Sequence, residues 1–286
     1  MVPMSELLTL PVAVSADWLR EHRDQVVLVD SRWYLDGRSG RDAHRAGHLP
    51  GAVFTDLDAD LAAPAGPEGG RHPLPSAADF ADALGRLGIG DDSSVVVYDD
   101  AGGSVAARLV WMLRVLGTPA AFLDGGVQAW TGGLEEGDVT PRPVHRTPLP
   151  WPADRVVHTD TVLAETGDPA HLLVDARARE RYTGERPAPV DARPGHVPGA
   201  RSAEWTGNLG DDGLLAAPGI LRERFAALGA DSADTITAYC GSGVTACHDL
   251  LALEHAGYSG ARLYPGSWSR WGGDDALPAE TGDPRA

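Results

Sequence analysis

Cys240 closes an apolar, β-branched run and opens the stretch CGSGVTACH, residues 240–248. Gly241, Ser242 and Gly243 follow it, and from Val244 an apolar pattern with helical spacing begins. A thiol placed between a buried strand and a helix start lies where inward-pointing amides and the positive helix end meet. Gly241 and Gly243 allow the tight curl this needs. The amides of residues 241–245, those of Val244 and Thr245 included, are expected to form an anion cradle around the sulfur. Such a field favours the thiolate, a strong nucleophile toward sulfur or phosphorus. The chain has two cysteines, Cys240 and Cys247. Two are too few for a disulfide framework or a four-cysteine zinc site. Cys240, Cys247, His248 and His255 match no usual zinc spacing, so no metal is expected. Cys247, two helical turns beyond Cys240, reads as buried and inert, the other reading being a redox partner that caps Cys240.

The elements that position this loop occur twice. VVLVDSRW (26–33) resembles LLVDARAR (172–179), and GHLPGA (47–52) matches GHVPGA (195–200) at every position but one. VVVYDD (95–100) resembles TITAYC (235–240), and GGVQAW (125–130) resembles GSWSRW (266–271). Aligned at Asp30 with Asp175, Gly47 with Gly195, Tyr98 with Tyr239 and Gly125 with Gly266, the four blocks keep their order at offsets of 145, 148, 141 and 141 residues, which reads as two homologous domains in tandem. The boundaries expected are an N-terminal domain over 1–135, a proline-rich linker over 136–155 and a C-terminal domain over 156–286. Each half alternates short apolar runs with helical windows. The windows fall at 76–88 and 105–117 in the first half, and at 217–229 and 244–257 in the second. That alternation predicts an α/β fold, each domain a mostly parallel sheet with helices on both faces. Ligands then bind at the carboxyl ends of the strands, where Cys240 lies. The matching position in the first half is Asp99, which lacks the thiol and cannot accept a sulfur group. The first domain is therefore expected to be inactive.

On these motifs the chain resembles a two-domain rhodanese-type sulfurtransferase over nearly its whole length. The CGSGVTA loop (240–246) is similar to that of the mercaptopyruvate branch, whereas the thiosulfate-using branch carries basic residues where Gly241 and Ser242 stand. The resemblance implies a Cys240 persulfide, loaded from a small anionic sulfur donor. It passes its sulfur to a thiol, such as that of a thioredoxin-like protein, or to cyanide. It also implies a proton relay from Ser242 to a histidine and an aspartate of the first domain. These are read as His48, in GHLPGA, and Asp42, with Asp36 the rival. A competing reading of His48 is that it and His196 each hold a turn. Substrate arginines are expected at Arg181 and Arg108. A further family arginine falls at Val190, with Arg193 or Arg186 as replacements. Trp268, Trp271 and Ser267 either wall the site or, like Trp130 in the first half, pack the core.

Composition agrees with a small-molecule enzyme. The 286 residues carry 24 Lys and Arg against 41 Asp and Glu, a net charge of −17, which excludes a phosphate-backbone partner. An anionic donor must therefore be gripped by local arginines and amides. No run approaches the length of a membrane span, and Glu6 precedes the short apolar stretch near the N-terminus. No secretory leader is expected, and a cytoplasmic location fits. No phosphate-binding glycine loop is present, and no cofactor is implied. The competing donor is thiosulfate; the competing role is a non-enzymatic persulfide carrier. A cysteine phosphatase would need an arginine six residues after the nucleophile, where this chain has Ala246.

Overall fold

A computed structural model describes residues 8–283. Glu6 lies outside the described residues. The chain divides into two compact units: residues 1–62 with 75–151, and residues 63–74 with 152–286.

In the first unit the parallel strands are β1 (Ala13–Val14), β2 (Val27–Asp30), β3 (Val53–Phe54), β4 (Val95–Tyr98) and β5 (Ala120–Leu123). They are ordered β1-β5-β4-β2-β3. The helices between them are α1 (Ala16–Glu21), α2 (Gly40–Ala46), α3 (Leu57–Asp60), α4 (Ala77–Arg86) and α5 (Ala106–Val115). Every residue of β4 and β5 is buried, so both faces of the sheet are covered, as continuous Val and Ala runs require. Ser76 caps α4 by accepting the Asp79 amide at 3.1 Å.

The second unit repeats the plan with β6 (His171–Asp175), β7 (Arg201–Ser202), β8 (Thr235–Tyr239) and β9 (Arg262–Leu263), all parallel in the order β7-β6-β8-β9. Its helices are α6 (Thr159–Glu165), α7 (Arg179–Thr183), α8 (Pro218–Leu228), α9 (Ala246–His255) and α10 (Ser267–Trp271). Trp268 and Trp271 are fully buried in its core with Tyr182, Tyr239 and Tyr264, so they pack rather than wall a site. Each unit fixes its first strand end in the same way. Asp30 and Arg32 form a buried ion pair at 2.6 Å, and Arg32 donates to the Gly47 carbonyl. Asp175 and Arg177 do the same, with Gly195 as acceptor.

The division differs from the expected boundaries in two respects. Residues 63–74 leave the first half and join the second unit. The expected linker is fastened to the first unit: the Val144 amide donates to Gly85 O at 3.0 Å, Arg146 to Gly90 O and the Thr118 hydroxyl, and Thr147 to Asp91. Its prolines preclude regular structure without preventing docking. Among the described residues no helix is long and apolar enough to cross a membrane.

Candidate active site

β8 delivers Cys240 to the carboxyl end of the sheet, 2% exposed. The chain then curls through Gly243, whose φ of 78° lies in the left-handed region that glycine tolerates. The curl turns the Gly243 amide back to the Cys240 sulfur at 3.2 Å. The start of α10 fastens this loop from outside. Cys240 N–H donates to the Ser267 hydroxyl at 3.1 Å. Cys240 O and Gly241 O accept the amides of Trp268 and Ser269, both at 2.9 Å. Ser267 pays for this with a φ of 51°, stabilised by donation of its hydroxyl to Tyr264 O at 2.9 Å.

The first unit shows what such a loop binds. Asp99 replaces the cysteine, and its carboxylate accepts four amides. Those of Ala101 and Gly103 reach Oδ1, and those of Val105 and Ala106 reach Oδ2, all at 2.8–2.9 Å. In the second unit the Cys240 sulfur stands at the matching sequence position and receives the Gly243 amide.

Residues 63–74 pack against α10 and the Cys240 loop. Gly66 and Gly70 pair their backbones, and Gly70 presses so close to α10 that an added Cβ would meet Gly266 O at 2.6 Å. The Arg71 amide donates to the Ser269 hydroxyl at 3.0 Å. This presents two side chains. His72 Nδ1 lies 2.8 Å from the Ser242 hydroxyl, and both residues are buried. Arg71 Nη1 donates to the Val190 carbonyl at 3.0 Å. Arg71 Nη2 and Arg181 Nη2 each lie 3.1 Å from where a Cβ on Gly241 would stand. Two guanidiniums therefore converge on one backbone position beside Cys240. Burial holds Arg71 below its usual range, while the nearby Cys240 sulfur pulls the other way. Arg181 is itself held by Asp191, Nε to Oδ2 at 2.9 Å and Nη2 to Oδ1 at 2.6 Å. Burial would raise the Asp191 carboxyl, but the hydrogen bonds and charge of Arg181 outweigh it and hold the carboxyl below its ordinary range.

A family model of the rhodanese-like domain matches residues 15–132 and again 158–274. The chain belongs to the rhodanese-like family. A 3-mercaptopyruvate sulfurtransferase of Escherichia coli K12 is 35% identical, over 93% of this chain and 97% of its own. The human 3-mercaptopyruvate sulfurtransferase is 36% identical over 90% of this chain and 91% of its own. A Mycobacterium tuberculosis relative, provisionally named a thiosulfate sulfurtransferase, is 38% identical over 91% and 92%. The solved E. coli SseA structure, described as a 3-mercaptopyruvate enzyme of rhodanese fold, superposes with a TM-score of 0.79 at 33% identity, covering 91% of this chain and 99% of that one.

Several expected site residues of this rhodanese-like chain fall elsewhere. His48 is not beside Ser242. It is buried in the first unit, stacked on His44 at 4.0 Å between ring centroids, with Nδ1 on His44 O. His196 sits in the same way with Nδ1 on Tyr182 O, and the two backbones pair with Glu135 and Glu280 respectively. Both histidines hold turns. Asp42 lies in the exposed first turn of α2 near Arg45, and Asp36 is exposed and paired with Arg38. Arg108 is fully buried on α5 and donates to Leu61 O at 3.2 Å. Arg193 is spent on Trp271 O and Leu277 O, and Arg186 is exposed near Glu180. Val244 is buried behind the loop, and Thr245 precedes α9. Cys247 is buried and donates to Gly243 O at 3.4 Å, and His248 Nδ1 contacts Asn208. Arg71 and His72 were missed. Their one sequence signal is that GGRHPLP (69–75) interrupts the match between the halves with a polar motif that has no counterpart in the second.

Proposed function

We propose that this sulfurtransferase takes sulfur from 3-mercaptopyruvate onto Cys240 and passes it to a thiol or cyanide acceptor. The observation that carries the reading is the convergence of the Ser242–His72 pair, Arg181 and Arg71 on the Cys240 loop. The Cys240 thiolate attacks the donor's sulfur. A sulfur–sulfur bond forms, the carbon–sulfur bond breaks, and its electron pair stays on carbon as the pyruvate enolate. The leaving carbon needs a proton there, and the Ser242 hydroxyl, in contact with His72, is placed to relay one. Arg181 and Arg71 grip the carboxylate and keto oxygen. The outer sulfur of the persulfide then lies among loop amides. By the 141-residue offset, those of Ser242, Val244, Ala246 and Cys247 are the counterparts of the four amides on Asp99. An acceptor thiolate or cyanide attacks that outer sulfur and releases the Cys240 thiolate. A thioredoxin-like dithiol suits the second step, and a reducing cytoplasm would keep Cys240 from oxidation to a disulfide.

The second reading, thiosulfate as donor, draws on the paired guanidiniums, which also suit a sulfonate, and on the M. tuberculosis relative. Intact mass after 3-mercaptopyruvate tests the first: one sulfur is added to wild type and none to Cys240→Ser. Labelling of both or of neither would sink it, and a higher kcat/KM for thiosulfate would transfer the role to that donor.

A further inference from the structure

The two guanidiniums beside Gly241 come from distant parts of the chain, yet one short turn holds both. The Asp191 amide donates to Ala188 O at 2.8 Å, and the Ala188 amide donates back to Asp191 Oδ2 at 2.9 Å, which locks the turn and the carboxylate together. Val190 exposes its carbonyl to Arg71, and the next residue presents its carboxylate to Arg181. The Asp191 side chain is 1% exposed and that of Arg181 19%. At position 190, where the resemblance calls for an arginine, this chain offers only a backbone oxygen. The positive charge arrives instead from Arg71.

We propose that the turn 188–191 is a positioning element for the donor site: Val190 O and the Asp191 carboxylate set the spacing and direction of Arg71 and Arg181 toward an anionic donor. Asp191 acts through the arginines and touches no reacting atom. The inference rests on the proposed reading of the site as one for an anionic sulfur donor.

Charge and geometry make opposite forecasts for Asp191, which gives the test its sign. A carboxylate that merely neutralised Arg181 would weaken anion binding, so its removal would lower KM. A carboxylate that aims the guanidinium strengthens binding, and its removal raises KM despite the gain in net positive charge. The measurement is kcat and KM for persulfide formation by wild type, Asp191→Asn and Asp191→Glu. The donors are 3-mercaptopyruvate, thiosulfate and mercaptoacetone, which keeps the keto thiol and lacks the carboxylate. Positioning predicts about a tenfold rise in KM for the anionic donors in Asp191→Asn, with kcat little changed and mercaptoacetone within about threefold. Asp191→Glu keeps the charge but shifts the carboxylate by one methylene, and positioning predicts a smaller rise of the same kind. In an Arg181→Ala background Asp191→Asn should raise KM much less than it does in wild type, because most of the carboxylate's effect passes through that arginine and only its hold on the turn that carries Val190 remains. A fall in KM, or equal losses with charged and uncharged donors, overturns the proposal. A wild type that prefers thiosulfate to 3-mercaptopyruvate would sink the donor reading alone, since the thiosulfate series still reads the positioning.

Discussion

Two histidines differ in what they face. His72 faces a hydroxyl that neighbours the nucleophile, at 2.8 Å. His48 stacks on a second histidine and points one nitrogen at a backbone carbonyl four residues back. General acid–base groups are worth roughly 10²–10⁴ in rate. Substituting His72→Gln should therefore lower kcat with 3-mercaptopyruvate about 100-fold while the melting temperature changes little. His48→Gln should do the reverse, because it disturbs a buried turn in a unit without a nucleophile. It is expected to cost about 1–3 kcal/mol of stability and leave kcat within about twofold. Steady-state kinetics and thermal melts of the two variants decide this, and similar kinetic losses in both would restore His48 to the relay.

α5 and α9 occupy the same place in the two units, yet at one matched position the charge reverses: Arg108 on α5 stands where Asp249 stands on α9, and both are fully buried. The Asp249 Oδ1 atom accepts from Asn208 at 2.7 Å, while Oδ2 has no hydrogen-bond partner. Burial, only partly opposed by Arg224 and Asn208, pushes its carboxyl up to about 7. The folded state thus keeps a proton that the unfolded chain releases near pH 4. The associated stability is full below that pH and is lost as pH rises through about 7. Asp249→Asn abolishes this loss, so its stability relative to wild type should grow by about 2 kcal/mol between pH 5 and pH 8, read by urea unfolding at both. A gap independent of pH would mean that the carboxyl titrates normally. The elements themselves were legible in the sequence. β2, β4, β6 and β8 coincide with short, largely apolar runs because strands buried on both faces have no polar alternation to confuse them. α5 and α9 begin one or two residues late, because Val105, Val244 and Thr245 are used in the loops. What was not legible is the stretch 63–74. Its bonds span 119 residues to Val190, 170 to Ser242 and 198 to Ser269, and it has no helical or strand period. His48 lies in a repeated motif, whereas the histidine at Ser242 lies in GGRHPLP, which has no counterpart in the second half.

The path of the chain joins the fates of its two units. Residues 63–74 belong to the second unit but are covalently anchored at both ends in the first. Unfolding the first unit should therefore loosen Arg71 and His72 even while Cys240 remains folded. Leu109 is fully buried on α5, and Leu109→Ala should destabilise the first unit by about 2–5 kcal/mol. The urea midpoint for loss of sulfur transfer should fall with that unit's own transition, followed by Trp111 fluorescence. An activity midpoint unchanged from wild type would show that residues 63–74 need no support from the first unit. The Asp99 loop carries a consequence for how such a molecule could have evolved. When one of two duplicated halves loses its chemistry, its catalytic residue is free to drift, but here the loop around it is not. Four amides face inward at a single point, and most replacements for the lost residue would leave them without an acceptor. Aspartate supplies that acceptor permanently. The first unit's loop thus carries its own acceptor, a carboxylate held by four amides, at the position where the second unit's loop carries a sulfur.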